Sequence, residues 1–308
     1  MVNQAVGLAN AIARSAGNFE VDEKTVVPAR PWSLLPAGLW PRWVSGLGKC
    51  GTLLQPPWPD VVVSCGRRAI GPTLWVKRQS DGRAKAVHAQ HPRTAVDAYD
   101  AIIGQSHDGL GGPNVIKVKG SMHRITEGVL AAAAARQGAV FEDIPHPTIA
   151  VLIGGTNSTY QMTAEITRRL ADDLQSLVAR SGCGLLVTAS RRTGEENLAL
   201  LRERITGPKI YFWDGMGDNP YFAFLAQADS ILVTGDSVNM ISEACFTGKP
   251  VHVLALEGGS GSKFERFHTE MRLAGHTRPF QGKLEEWRPV PLDETSRVAR
   301  EIVARLGL

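Results

Sequence analysis

The sequence predicts an α/β protein built on parallel sheets and divided into two domains. Short runs of Val, Ile and Leu, almost free of polar residues, alternate with amphipathic helical patterns. Strands without a polar face suit a sheet covered by helices on both sides. At 308 residues the chain can hold two ordinary cores. The stretch "VFEDIPHPT", with Pro145 and Pro147, reads as the link between them. The domains are therefore expected at 1–145 and 146–308, each Rossmann-like, with the tail "LDETSRVAREIVARLGL" as a C-terminal helix of the second.

The second half is the more regular. "TIAVLIGG" (148–155) is a β-branched run ending in paired glycines, and a helix follows through Ile166, Leu170, Leu174 and Leu177. Ser158 and Gln161 have the spacing of a capping box for that helix. "GLLVTAS" (184–190) is the next strand, and Thr193-Gly-Glu-Glu196 is placed to cap a helix through Leu198, Leu201 and Ile205. "KIYFWDG" is a third strand. In "DNPYFAFLAQA", Asn219 stands as cap and Pro220 as the first helical residue. "DSILVTG", a helix containing Glu243, and "PVHVLAL" complete five strands and four helices.

The first half offers strands at 59–66, 84–90, 99–105 and 114–120, and an Ala-rich helix at 123–138. It opens on a helical pattern, "NQAVGLANAIARSAG". A parallel α/β domain ordinarily opens on a strand, so either the start has been placed late or the first sheet lacks its usual first strand.

Composition narrows the function. The chain has 43% hydrophobic and 21% charged residues, with no apolar run of membrane-spanning length and no secretory signal pattern. Cys50, Cys65, Cys183 and Cys245 are scattered without metal spacing, as in a reducing cytoplasm. Residues 1–145 hold 16 Lys+Arg against 11 Asp+Glu, whereas 146–308 hold 18 against 19. A basic first half suits an ordinary solvated surface, an acidic substrate or an anionic membrane surface. No stacking array interleaved with basic residues speaks for nucleic acid.

The C-terminal ends of parallel strands converge on one edge, where ligands bind. In the second domain that edge gathers Gly154, Gly155, Thr156 and Asn157; Ser190, Arg191, Arg192 and Thr193; Asp214 to Gly217; and Gly235 to Asn239 with Ser237 and Val238. Each turn leads toward a helix N-terminus, whose N–H groups and dipole favour an anion. The 235–239 turn reads as a seat for a diphosphate. Glu243 lies four residues after Asn239 on one helix face, placed to accept two ribose hydroxyls. The alternative for Glu243 is a solvated helix residue, or one paired with Lys249. "GSGSKFERFH" (259–268) reads either as a segment closing Lys263 over a donor phosphate or as a mobile loop.

Several of these segments resemble the donor-nucleotide domain of GT-B glycosyltransferases, in which a strand, a small-residue turn and a helix with Ser-Glu ("ISEA", Ile241–Ala244) bind the nucleotide. Over nearly its whole length the chain is similar to bacterial proteins related to the plant mitochondrial-fission "elongated mitochondria" protein. The similarity lies in "NQAVGLANA" (3–11), "PWSLLPAGLW" (31–40), "PPWPDVVVSCGRR" (56–68), "VLIGGTN" (151–157), "TASRRT" (188–193), "GDSVNMISEA" (235–244) and "SKFERFH" (262–268). The resemblance implies a GT-B-like pair of Rossmann-like domains with an interdomain cleft and a nucleotide-diphosphate sugar as donor substrate. It also implies an alternative, a non-catalytic membrane-associated adaptor that retains the fold. The family has a strand and a Gly-containing turn ahead of the "NQ" helix, which this chain does not show.

NAD-dependent epimerase chemistry is not expected. No GxGxxG follows a first strand, and none of Tyr99, Tyr160, Tyr211 and Tyr221 has Lys four residues later. No DxD motif marks a metal, and no cofactor is expected beyond the donor. A base for glycosyl transfer is sought in "GQSHDGLGG" (104–112), where His107 and Asp108 lie in a glycine-rich loop; the same pair could instead cap a turn. His88 and His123 read as structural histidines. Arg67 and Arg68 read as a surface pair or as contacts to an anionic acceptor. Trp32, Trp40, Trp43 and Trp58 either pack on the first core or dock on a membrane interface, presenting a lipid-linked acceptor. The expected place is thus the cytoplasm, with a peripheral position on the inner face of the membrane if docking holds.

Overall fold

The computed structural model describes residues 2–17, 19–25, 54–92 and 95–308, the side chain of His107 excepted. Trp32, Trp40, Trp43 and Cys50 lie outside the described residues. The chain forms two compact units, Met1–Arg124 with Asp293–Leu308, and Ile125–Leu292.

In the first unit, α1 (Val2–Ala16) precedes β1 (Val61–Cys65), α2 (Ile70–Gln79), β2 (Lys85–Ala89), β3 (Ala101–Gln105) and β4 (Val115–Val118). The strands form a parallel sheet in the order β1-β2-β3-β4. One face is covered by α1 and by the last helix of the chain, α9 (Glu294–Leu306). Leu8, Ala11 and Ile12 of α1 share a core there with Val298, Ala299 and Ile302 of α9 and with Val87, Ala101, Ile103 and Ile116. A Cβ at Gly7 would lie 2.2 Å from the His123 carbonyl oxygen, so glycine permits that close approach. The opposite face buries Ala86, Tyr99, Ile102, Leu110 and Val115, with Leu74 of α2 against them.

The expected division at 145/146 is corrected by α9. Thr295 Oγ1 accepts the His123 N–H at 3.1 Å, Arg297 donates to the Lys117 carbonyl at 2.7 Å, and Arg305 to that of Pro113 at 3.1 Å. The C-terminal helix thus completes the first unit, and the second begins at Ile125 instead of 146. An amphipathic stripe says that a helix buries one face; it does not say against which core.

The second unit starts with α3 (Glu127–Gln137) and runs through β5 (Thr148–Ile153), β6 (Tyr160–Gln161), α4 (Ala164–Ser181), β7 (Gly184–Ala189), α5 (Glu195–Arg204), β8 (Ile210–Phe212), α6 (Tyr221–Gln227), β9 (Ser230–Thr234), α7 (Val238–Phe246), β10 (Val251–Leu254), β11 (Glu257–Gly258), α8 (Lys263–Leu273) and β12 (Thr277–Pro279). Six strands are parallel in the order β12-β10-β9-β5-β7-β8. The strand beyond the five expected is β12, a short edge strand ending in Pro279, as suits a residue without an N–H to donate.

Successive residues of β5 serve opposite cores, as a period of two requires. Ile149, Val151 and Ile153 pack with Ile166, Leu170 and Leu174 of α4 and Leu201 of α5. Ala150 and Leu152 pack with Phe224 of α6, Ile241 and Ala244 of α7, and Phe267 of α8. Both faces are covered, which is why these strands carry so few polar residues.

Three helix starts differ in register from the sequence reading. Thr163, not Ser158, caps α4, its hydroxyl accepting the Ile166 N–H. Tyr160 and Gln161 are instead taken up in the antiparallel β6–β11 pair. Gly194 occupies the cap position of α5, while Thr193 turns its hydroxyl to the Gly154 carbonyl. Pro220 is the cap residue of α6, and Asn219 Oδ1 accepts the Tyr221 N–H at 3.0 Å.

Candidate functional site

The chain leaves β5 for β7 and β8 on one side, then returns to β9 on the other. Strand order therefore reverses between β5 and β9, and such a switch point opens a crevice beyond the C-terminal strand ends. The loops emerging there are 154–157 and 235–237, with 190–193 beside them after β7.

These loops are stitched together by a carboxylate. The Asp236 side chain has no solvent exposure and pairs with the Arg192 guanidinium. It accepts the Gly155 N–H at 3.1 Å on Oδ2 and the Thr234 hydroxyl at 2.6 Å on Oδ1. Thr234 Oγ1 in turn accepts the Gly154 N–H at 2.7 Å, and Asn157 Nδ2 donates to the Asp236 carbonyl at 3.1 Å. Ser190 Oγ donates to the Gly154 carbonyl at 3.1 Å.

The sequence reading gave the 154–157 backbone to a ligand phosphate, and the geometry assigns it differently. Gly154 and Gly155 N–H groups serve Thr234 and Asp236, the Thr156 N–H donates to the Arg192 carbonyl, and that of Asn157 to Tyr160. The two glycines exist for close packing. A Cβ on Gly154 would lie 2.1 Å from Asp236 Oδ1, and one on Gly155 the same distance from the Arg192 carbonyl oxygen. Arg192, one of two arginines expected to clamp an anion, is held by Asp236. Arg191 next to it is exposed.

The turn after β9 leads into α7, as the spacing predicted. Ser237 is the N-cap, its hydroxyl accepting the Met240 N–H at 3.3 Å, and Val238 and Asn239 form the first turn. An α-helix leaves its first N–H groups without helical acceptors, and at this end the Ser237 hydroxyl takes up one of them. Ile241, Ala244 and Cys245 are buried, as the stripe predicted. Glu243 is half-buried, six residues or about 9 Å along the axis from Ser237. Its Oε2 accepts the Tyr221 hydroxyl at 2.6 Å. Burial, reinforced by the Glu243 carboxylate, pushes the Tyr221 phenol well above its ordinary value. Lys249 is occupied elsewhere, donating to the Leu225 and Ala226 carbonyls at 2.8 and 2.6 Å at the C-terminal end of α6.

The segment read as a closing or mobile loop leads from β11 into α8. Gly258 pairs with Tyr160, Ser262 caps α8, and Glu265 Oε2 accepts the Gly261 N–H at 2.7 Å. Lys263 is the exposed first residue of that helix. Asp214 is also exposed, its Oδ1 accepting the Met216 N–H at 2.8 Å to shape the turn after β8. In the first unit, Ser106–Asp108 form a 3-10 turn after β3, placing His107 and Asp108 at the C-terminal strand edge. Arg67 and Arg68 are exposed in the corresponding turn after β1. Trp58 packs edge-on against Trp75, with ring centroids 5.5 Å apart. Among the described residues, no three His, Cys, Asp or Glu side chains cluster as a metal site, and no helix is long and apolar enough to cross a membrane.

Sequence reasoning missed four contributors. Asp236 and Thr234 were passed over as parts of a turn, although an acidic residue between small residues at a strand end is unusual in an anion seat. Tyr221 carried no local signal. His268, within the quoted "SKFERFH", bridges α8 to the 235–237 turn through Nε2 and the Gly235 carbonyl at 2.8 Å. Burial lowers its pKa, opposed by that hydrogen bond and by Asp236.

Comparison with known proteins agrees with this architecture. A curated relative, the mitochondrial fission protein ELM1 of Arabidopsis thaliana, is 29% identical over 277 residues, covering 80% of this chain. The aligned region spans 65% of that relative's length. An uncharacterised protein of Rickettsia prowazekii is 25% identical, with 79% of each chain covered. Among solved structures, the UDP-GlcNAc 2-epimerase of Methanocaldococcus jannaschii superposes with a TM-score of 0.54 at 14% identity, covering 81% of this chain and 77% of that one. That likeness is one of fold, the two-unit α/β architecture of GT-B enzymes. The family model described as mitochondrial fission ELM1 matches residues 1–306, and the chain belongs to that family.

Proposed function

We propose that the second unit binds a nucleotide-diphosphate sugar and that the protein is a metal-independent glycosyltransferase. The observation that carries this reading is the switch point between β5 and β9, beyond which α7 begins at Ser237 with Glu243 about 9 Å further along its axis. The first turn of α7 at Ser237, Val238 and Asn239 would hold the diphosphate, and Arg191 and Lys263 would supply the cations. Glu243 would accept the ribose hydroxyls. In transfer, the same helix end would stabilise the departing diphosphate, and His107 or Asp108 would take the acceptor proton. An acceptor carried on a lipid would bring the protein to the inner face of the membrane.

A second reading has its own support. The 154–157 N–H groups are spent within the fold, as suits an adaptor that keeps the architecture without the chemistry. Incubation with UDP-, GDP-, CDP-, ADP- and dTDP-sugars separates the two. A transferase releases nucleoside diphosphate slowly even without acceptor, and Glu243→Ala abolishes the release. An adaptor releases none.

A further inference from the structure

The first sheet ends differently on its two sides. At the β4 edge the Asn114 carbonyl accepts the Ile102 N–H, so Pro113, Val115 and Lys117 face outward. Two of these outward carbonyls are taken by α9, that of Pro113 by Arg305 and that of Lys117 by Arg297. On the other side β1 is the outermost strand. The Asp60 carbonyl accepts the Lys85 N–H at 2.8 Å, which turns Val62 and Ser64 toward β2 and Val61, Val63 and Cys65 outward. Among the described residues, nothing pairs with the backbone of these three on that side. Val61 to Val63 are half-buried, whereas the first four residues of β3 are buried. An open edge invites another strand, and proteins ordinarily block it with a charge, a proline or a bulge. β1, Val-Val-Val-Ser-Cys in unbroken register with β2, carries none of these.

We infer that β1 is a docking edge for a second copy of this chain, the two β1 strands pairing antiparallel about Val63. The charges at its ends select this occupant. Asp60 precedes the strand and Arg67 and Arg68 follow it, all three exposed. In an antiparallel pair the start of one strand meets the end of the other, so Asp60 lies beside the partner's Gly66 and Arg67. A parallel arrangement would set like charge against like. Val63 meets its own equivalent on the two-fold axis and Val61 meets the partner's Cys65. Each such pair exchanges both backbone hydrogen bonds through the outward groups, and the two sheets become one.

Sedimentation velocity on the whole chain tests this from about 1 to 100 μM, the range suited to a small interface. Wild type is expected to pass reversibly from monomer to dimer. Asp60→Arg sets like charges at both ends of the seam and is expected to weaken the dimer about tenfold at low salt. The double variant Arg67→Asp, Arg68→Asp should do the same. Mixed, the two variants complement each other at both ends, and the heterodimer is expected to recover the wild-type affinity. Val63→Pro removes an outward N–H and is expected to stay monomeric. If it folds poorly, the charge variants, exposed and outside the core, still decide. A wild type that stays monomeric overturns the inference, including the case in which residues outside those described cover the edge. So does a dimer that Asp60→Arg or Val63→Pro leaves unchanged, because its seam lies elsewhere. A mixture no tighter than either charge variant alone overturns the antiparallel pairing.

Discussion

The Arg192 guanidinium closes on the Asp236 carboxylate, a side chain wholly removed from solvent. The pair joins the loop after β7 to the loop after β9, and Asp236 reaches the loop after β5 through the Gly155 N–H. Three strand ends are thereby fixed to one another before any ligand arrives. Removing the buried Asp236 carboxylate leaves the Gly155 N–H and the Thr234 hydroxyl without their acceptor and releases Arg192 to solvent. Asp236→Ala is expected to cost about 3 kcal/mol of stability, read as a lowered midpoint in urea with little change in slope.

The neighbouring arginines should behave differently. Arg192→Gln breaks the pair and is expected to lower the melting temperature. Arg191 is exposed and makes no ion pair among the described residues, so Arg191→Gln should melt like wild type. Its effect is expected on nucleoside-diphosphate binding, which weakens several-fold and loses part of its salt dependence. Equal melting temperatures for the two variants would count against this division of labour.

Acid should destabilise both units through buried histidines, His88 in the first and His252 in the second. Burial holds His88 in the first unit and His252 in the second down to about 4. His88 Nδ1 is hydrogen-bonded to Ser64 Oγ at 2.8 Å, and His252 Nε2 accepts the Glu285 N–H at 2.9 Å, a bond that protonation there would break. Unfolded, both titrate near 6.5, so between about pH 6.5 and 4 the unfolded chain binds more protons. Stability is complete above pH 6.5 and falls on acidification toward 4, by on the order of 3 kcal/mol per histidine. Thermal melts across that range measure it, and His252→Phe should flatten the second unit's share.

The docking of α9 on the first unit makes a prediction about cooperativity. Ile302 is fully buried beside Leu8 and Ile12, and Ile302→Ala should cost about 2–4 kcal/mol. The loss should appear in hydrogen exchange of β2 and β3, while β5 and β9 keep their protection. Loosening of the second sheet instead would contradict the assignment of α9.

Much of this fold is legible locally. The β-branched runs at 61–65, 148–153 and 230–234 are strands because both sheet faces are covered, and α7 shows its buried stripe in its spacing. The return of α9 to the first unit is not legible, because its partners lie some 290 residues earlier in α1. The strand-end turns were visible as glycine-rich interruptions, but the use of each glycine was not. Close packing and ligand access call for the same residue, and only the position of Asp236, 81 residues from Gly155, separates them. Glu243 stood out by its place on a helix; Tyr221, 22 residues earlier on another helix, did not. Hydrogen bonds between distant elements leave no period in the sequence.

Whether the edge between β5 and β9 seats a nucleotide through α7 is decided by a thermal-shift panel. UDP, GDP, CDP, ADP and TDP would be compared on wild type and Glu243→Ala. A ligand at about one hundred times its dissociation constant adds about 2.7 kcal/mol to the folded state. At least one diphosphate is expected to raise the wild-type melting temperature, and Glu243→Ala to lose most of the shift. No shift with any diphosphate, or an equal shift in the variant, would contradict it.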